Sequence, residues 1–171
     1  MMRALSLVRR ADSGAAAAEL ALMLPVMLAL IFTTFEGGNY LLNEHKVIKA
    51  VRDGARYASR LSYKEFDCAS GTVSATATTA ILNMTRTGTP DGTGFPRFTA
   101  GANDTFDVTL DCATSGDTAS YENNGIYREK QEVPRVLVNA VVGYKSLFST
   151  LGFDTSSAVV RAQAQSAVTG I

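Results

Sequence analysis

The sequence predicts an α+β protein, in which a long N-terminal membrane-spanning helix packs on a small antiparallel β-sheet. Three patterns indicate this fold class. Residues 15–35 form an apolar run with a single charged residue, Glu19. Residues 41–58 continue with apolar residues at helical spacing, and the C-terminal part has short runs in which apolar and polar residues alternate. A long helix followed by antiparallel strands is an α+β arrangement.

The apolar run has the length of a membrane span. A helix over residues 15–35 extends about 30 Å at about 1.5 Å per residue, which matches the hydrocarbon core of a bilayer. Segment 1–14 carries three arginines and no apolar span, which favours the cytoplasmic side under the positive-inside rule. We therefore expect a basic cytoplasmic leader over 1–14 and a transmembrane helix over 15–36. A secretory signal peptide fits less well, because the apolar run is too long and the alanines precede it.

Glu19 and Pro25 interrupt the apolar character of this run. An acidic residue near the bilayer centre costs about 2.5–3.5 kcal/mol, and less near the end of a span. The apolar residues of the run offset this cost, so insertion tolerates Glu19 without benefiting from it. Glu19 therefore either lies at the headgroup level without a role or serves a purpose other than insertion. Pro25 removes one backbone donor and predicts a kink.

The helix is expected to continue to about Arg60, so that residues 37–60 extend it beyond the membrane with a flexible point near Gly37. An apolar stripe at helical spacing predicts the face that packs on the following domain. This stripe consists of Leu41, Ile48, Val51, Ala55 and Ala58. The basic residues occupy other faces, namely Lys46, Lys49, Arg52, Arg56 and Arg60. His45, the one histidine of the chain, is expected to be solvated.

Residues 61–171 are predicted to form an extracytoplasmic α+β domain. A short second helix is expected over 72–86, with Ala80, Ile81 and Met84 facing inward, followed by a loop over 87–103. Three strands are predicted from alternating patterns. Their inward residues are Phe106, Val108, Leu110 and Cys112, then Val136, Val138, Ala140, Val142 and Tyr144, then Ala158, Val160, Ala162 and Ala164. Polar residues 113–132 suggest an exposed excursion, and Phe148, Leu151 and Phe153 an apolar loop.

The N-terminal third resembles a known family. A basic leader that ends in Gly14, small residues from Ala15, Glu19 and then a long apolar helix resemble the type IV prepilin signal. The run RRADSGAAAAELALMLPVMLALIF and the later segment KAVRDGARYAS are similar to the TadE-like pseudopilins of the tight-adherence (Flp) pilus. The resemblance covers about residues 9–60. It implies a pilin-like fold and a structural role in pilus biogenesis rather than an enzymatic one.

The resemblance also implies a maturation site and a set of partners. A prepilin peptidase would cut between Gly14 and Ala15, and Glu19 would then contribute to assembly. The implied partners are that peptidase, other pilins and pseudopilins of the same system, an inner-membrane assembly platform and the membrane itself. The chain would be single-pass in the inner membrane, with its C-terminal domain extracytoplasmic. The size of the chain argues against the main shaft subunit, because major pilins of this system are much smaller.

Composition and spacing exclude several other function classes. The full chain has 16 basic and 16 acidic residues, and cleavage would leave 13 basic and 15 acidic residues. This nearly balanced charge does not indicate nucleic-acid binding, which needs a concentrated basic patch. One histidine excludes most histidine-based triads, and the cysteine and histidine spacing fits no zinc site. Asn103, Asp104, Asp107 and Asp111 are a weak calcium candidate without an EF-hand pattern. We expect no catalytic residue, cofactor, metal or small-molecule substrate.

The sequence is compatible with two alternatives for the cysteines and two for the function. Cys68 and Cys112 would both lie in an oxidising compartment, where a disulfide is predicted. Two unpaired buried cysteines are the alternative, since free cysteine often behaves as a small core residue. A permanently anchored periplasmic scaffold or binding protein, never cleaved, is the alternative to a pseudopilin.

Overall fold

Helix α1 spans Met2–Ser59 without a break. The computed structural model describes residues 2–98, 104–114, 127, 132–149 and 157–170, with the side chains of 2–13 and 114 excepted. The helix begins within the leader rather than near Ala15, and it continues through Pro25 and Gly37. A proline costs about 3 kcal/mol and a glycine about 1 kcal/mol in a helix interior. A break would instead leave several backbone groups without partners.

The chain divides into two compact units, Met1–Tyr40 and Leu41–Ile171. The first unit consists of the N-terminal part of α1. The second contains the rest of α1 and the remaining elements around one hydrophobic core. Its buried residues are Val47, Val51, Ala55, Ala58, Phe66, Ile81, Val136, Val138, Ala140, Val142, Tyr144, Val160 and Val168.

The helical face in this core differs in part from the predicted stripe. Val51, Ala55 and Ala58 are buried as expected. Leu41 is exposed and Ile48 is half-buried, and the face is instead completed by Val47, Ala50 and Gly54. The buried positions recur every three or four residues from Val47 onward, so the period was correct but its starting point was too early. Leu41 belongs with the exposed apolar surface that precedes it.

A three-stranded antiparallel sheet forms the other side of the core. Its strands are β3 (Thr105–Thr114), β4 (Glu132–Gly143) and β5 (Val159–Ala167), in the order β3-β4-β5. The register pairs Val108 with Val138 and Val138 with Ala164. The alternating pattern is confirmed, because even-numbered residues from Val136 to Val142 are buried whereas Arg161, Gln163 and Gln165 are exposed. The predicted α+β fold class is therefore confirmed.

Short elements between residues 61 and 88 complete the second unit. A 3-10 turn (Tyr63–Glu65) leads into a hairpin of β1 (Phe66–Asp67) and β2 (Thr72–Val73), and α2 follows at Ala75–Thr87. The second helix thus starts later than predicted. Thr72 and Val73 pair with β1, and the Ser74 hydroxyl accepts a hydrogen bond from the Ala77 N–H at 3.2 Å, which caps the helix.

The inward face of α2 is Ala77, Ile81 and Thr85, which are buried at a spacing of four residues. Ile81 was predicted to face inward, whereas Ala80 and Met84 are only half-buried. The helix ends at Thr87 and is capped by Gly88, whose N–H bonds with the Met84 carbonyl at 3.0 Å and whose φ of 84°, which favours glycine, turns the chain out of the helix. Residues 88–98 contain no helix or strand, as predicted for this part of the loop.

Several predictions concern residues that lie partly outside the described chain. In the loop after β4, Phe148 is half-buried, whereas Leu151 and Phe153 are outside the described residues. Most of the polar excursion 113–132 is also outside them, and its two ends belong to β3 and β4. Ala158 precedes β5 rather than lying within it, and its carbonyl accepts a hydrogen bond from the Tyr144 N–H at 2.9 Å.

Candidate membrane span and assembly site

The N-terminal part of α1 presents an apolar surface that nothing in the described chain covers. Every residue from Gly14 to Phe35 is exposed, and Leu22 retains 78% of its accessible surface. Among the described residues, one helix is long and apolar enough to cross a membrane, and it lies within Gly14–Ser59. A monomeric soluble protein rarely exposes a continuous apolar surface of this size. This surface therefore needs lipid or protein around it.

The polar side chains of this surface differ in whether they form hydrogen bonds within the helix. Thr33 and Thr34 donate their hydroxyls to the carbonyls of Ala29 and Leu30, at 2.7 and 2.8 Å. Such internal bonds suit an apolar surrounding, where no water is present to accept them. Glu19 is exposed, and within the described residues it has neither a hydrogen bond nor an ion pair. Its carboxylate is therefore available for a partner that the described residues do not supply.

Gly14, the expected processing residue, is exposed, and a Cβ built on it would meet nothing within 4 Å. Ala15 follows it on the same helix and is also exposed. The helical positions of Ala15 and Glu19 differ by four residues, so the two lie one turn apart on the same face.

The segment Arg52-Asp53-Gly54-Ala55-Arg56 holds α1 against α2. Gly54 is buried, and a Cβ at this position would clash with the hydroxyl oxygen of Thr85. Thr85 is fully buried, and its hydroxyl donates to the Ile81 carbonyl at 2.9 Å. The two helices therefore approach each other at a point where only glycine fits.

Asp53 joins the same segment to the loop after α2. Its Oδ2 accepts a hydrogen bond from Nη1 of Arg97 at 2.8 Å, and the two side chains are 27% and 28% exposed. The Arg97 N–H also bonds to the Arg86 carbonyl at 2.8 Å. Arg97 and Thr85 were not predicted from the sequence, because they lie far from this segment in the chain. A glycine inside a helical pattern was the one available signal, since it often marks a close approach.

The second unit carries a disulfide between Cys68 and Cys112, whose Cα atoms are 5.7 Å apart. The bond links the β1–β2 turn to β3 across a sequence separation of 44 residues. Asp67 shapes this turn, because its carboxylate accepts hydrogen bonds from the Ser70 hydroxyl at 2.7 Å and from the Ala69 N–H at 3.0 Å. The bond from the Ser70 side chain is the main cause that lowers the pKa of Asp67 below its usual value.

The carboxylates considered for calcium are dispersed. Asp104 accepts a hydrogen bond from the Gly143 N–H at 2.7 Å, and Asp111 pairs with Arg135 at 2.8 Å. Asp107 is exposed on the outer sheet face, and Asn103 lies outside the described residues. The described part of the chain contains no group of three potential metal ligands.

Comparison with known proteins finds one similarity to a family, over residues 14–56. This segment, about a quarter of the chain, matches the family model described as TadE-like protein. The resemblance to TadE-like proteins drawn from the sequence is therefore confirmed over this range. The chain matches no curated protein and no solved structure.

Proposed function

We propose, with the TadE-like match of residues 14–56 as the premise, that the chain is a pseudopilin or minor pilin of the tight-adherence pilus. In this function a prepilin peptidase cuts between Gly14 and Ala15, and the mature chain joins other pilins through its apolar helix. The observation that carries the proposal is the exposure of this helix from Gly14 to Phe35 within the matched segment.

The energetics of the exposed helix support a role in assembly. Fully burying a Val, Leu, Ile, Phe or Met side chain contributes about 1.5–3 kcal/mol relative to leaving it in water, and 11 of the 16 residues from Leu20 to Phe35 are of this kind. Lipid provides this burial while the chain is in the membrane, and neighbouring helices provide it within a filament. The same surface therefore suits both the membrane-bound precursor and the assembled subunit.

The proposed arrangement has four parts. Residues 1–14 are the cytoplasmic leader, 15–36 the membrane span, 37–60 its extension and 61–171 the extracytoplasmic domain. The inner-membrane assembly platform would receive the mature chain after cleavage. Three arginines in the leader support this orientation, and the disulfide in the domain supports an oxidising compartment.

The alternative is an uncleaved, permanently anchored scaffold or binding protein. The two functions differ in whether the Gly14–Ala15 bond is cut and whether the chain accompanies pili. Glu19 favours the first function, because an anchor gains nothing from a carboxylate in its span.

A glycine substitution tests the proposal. Gly14→Val should leave only the longer, membrane-retained form, because a branched side chain would not fit a site that accepts small residues. Gly38→Val is the matched control, since both glycines are exposed on α1 and a Cβ added to either would meet nothing within 4 Å. Processing and pilus association would be followed by immunoblotting of membranes and of sheared surface material. Equal processing of wild type and Gly14→Val would refute the cleavage assignment.

A further inference from the structure

A stripe of positive charge follows the side of α1 that faces away from the core. We call it the basic stripe, and it consists of Lys49, Arg52, Arg56 and Arg60. The first three lie on α1 and Arg60 lies in the turn directly after it, and all four are exposed. At about 100° per residue, these positions fall within about 80° of the helix circumference. They lie opposite the buried face centred on Val47, Gly54 and Ala58.

The basic stripe has no counter-charge in the described part of the chain. The one carboxylate between residues 46 and 60 is Asp53, and this group pairs with Arg97 from the loop after α2. No ion pair to the four stripe residues occurs among the described residues. Because Arg97 of the loop pairs with Asp53, the carboxylate nearest to the stripe, the positive charge of the stripe is not compensated by this carboxylate.

The energetics of an isolated helix do not account for the whole stripe. Like charges three or four residues apart destabilise a helix by about 0.2–0.5 kcal/mol per pair. The stripe contains three pairs of cations at this spacing. The helix dipole favours cations, but only within the last turn. That effect covers Arg56 and Arg60, whereas Lys49 and Arg52 lie about two turns or more before the end at Ser59. An external anion would remove the repulsion.

We propose that the basic stripe binds a carboxylate-bearing helix of another subunit in the same assembly. This inference rests on the proposed function and names the chemistry of one partner surface. Successive cations are about 5 Å apart along the axis, and a partner helix with Glu or Asp at every third or fourth residue has the same spacing. Arginine forks bind carboxylates through two parallel hydrogen bonds, and arginine is enriched at the energetic centres of protein interfaces.

A lipid surface fits the position of the stripe less well than a protein. Basic clusters that bind anionic lipids immediately flank a membrane span on its cytoplasmic side. The stripe begins at residue 49, whereas the expected span ends at residue 36, and the proposed orientation puts it on the opposite side of the membrane. Arg52 and Arg56 lie instead within the segment that matches TadE-like proteins.

The test uses the full chain in a zwitterionic detergent. The probe is a labelled synthetic helix with Glu at positions i, i+3, i+7 and i+11, and its control has the same composition in scrambled order. Arg52→Glu/Arg56→Glu should weaken probe binding about tenfold or more. Lys64→Glu/Arg161→Glu is the matched variant, because both residues are exposed cations outside the stripe. It should weaken binding less than about twofold, and added salt should weaken the wild type.

Thermal unfolding of each variant controls for folding, and Arg52→Gln/Arg56→Gln replaces the charge reversal if that protein is not folded. Equal loss in the two double variants, or equal binding of the ordered and scrambled probes, would overturn the proposal. Stripe-dependent binding to phosphatidylglycerol vesicles without binding to the helix would also overturn it and assign the stripe to lipid.

A cellular arm separates this inference from the proposed function. Membrane level, N-terminal processing and pilus co-purification would be measured together for wild type and Arg52→Glu/Arg56→Glu. The proposal expects a variant that is inserted and cut but at least about tenfold depleted from pili, and undiminished co-purification would contradict it. A wild-type chain that is neither cut nor found with pili would contradict the proposed function instead.

Discussion

Glu19 is the single charge between Gly14 and Phe35, and its carboxylate has no partner among the described residues. Cleavage after Gly14 would create an amino terminus on Ala15, one turn before Glu19. The reference pKa of an α-amino group is about 7.7–8.0, so this group is largely charged at neutral pH. In a bundle of apolar helices, its own or a neighbour's amine would pair with Glu19. An unpaired carboxylate there is costly, so such a pair would fix the axial register of subunits.

We predict that Glu19→Ala is inserted and at least partly cut, yet is lost from pili. Insertion should become slightly more favourable without the charge. Glu19→Gln is the matched control for shape, and it should fail in the same way if the charge matters. Membrane level, N-terminal processing and pilus co-purification would be measured for both variants. Normal co-purification of Glu19→Ala with pili would show that assembly does not require Glu19.

Gly54 sets the distance between α1 and α2. Gly54→Ala should destabilise the second unit by about 1–3 kcal/mol, because the added methyl group meets the buried Thr85 hydroxyl. Helix propensity offsets up to about 1 kcal/mol of that loss. Thermal unfolding by circular dichroism in detergent would measure the change.

Two further variants test the cause of the Gly54→Ala effect. Thr85→Ala removes the hydroxyl that the new methyl group meets, so Gly54→Ala/Thr85→Ala should recover most of the loss. Gly37→Ala lies on the same helix with nothing near its Cβ, and it should be neutral or stabilising. If the double variant is no more stable than Gly54→Ala, the clash with Thr85 is not the cause.

At the scale of elements, the disulfide ties the β1–β2 turn to β3. Neither strand of that hairpin exceeds two residues, so the turn has little packing of its own. In the chain-entropy model, closing a loop of this length stabilises the folded state by about 4 kcal/mol.

We predict that Cys68 and Cys112 are bonded in protein isolated without reductant. Thiol labelling under denaturing conditions should then detect no free cysteine, and reduction should release two thiols and lower the unfolding temperature. Two labelled thiols before reduction would instead favour the alternative of two free, partly buried cysteines.

The sequence predicted long periodic elements well and short ones poorly. Strands β4 and β5 are each at least nine residues long and alternate over most of their length, and their faces were predicted correctly. The strands of the β1–β2 hairpin are too short to show an alternating pattern in the sequence, and β2 was predicted as part of the second helix. The cap at Ser74 decides where that helix begins, and the capping contact depends on the chain before it.

For the candidate site too, the sequence predicted the features that are local patterns and did not predict contacts between distant residues. Glu19, Gly14 and the segment around Gly54 were visible as local patterns. Arg97 was not, because its ion pair with Asp53 joins residues 44 positions apart and depends on how α2 packs. The basic residues of α1 were seen to avoid the apolar face. That the basic stripe has no ion pair among the described residues could not be predicted, because it depends on the pairing of Asp53 with Arg97.

At the scale of the whole molecule, the proposed function requires the second unit to lie outside the cytoplasm. Alkaline phosphatase is active only after export, so fusion of this enzyme after Arg60 should give an active reporter. Fusion after Gly14 should give an inactive one, because the leader is expected to stay in the cytoplasm. The reverse pattern would overturn the orientation.

Cleavage after Gly14 is the central claim, because it separates a pseudopilin from a permanent anchor. The direct measurement is the N-terminal sequence of the chain purified from membranes and from sheared surface material. The account predicts a mature chain that starts at Ala15 in both fractions and an enriched mature form in the surface fraction. A chain that retains residues 1–14 in membranes and is absent from the surface fraction would contradict it.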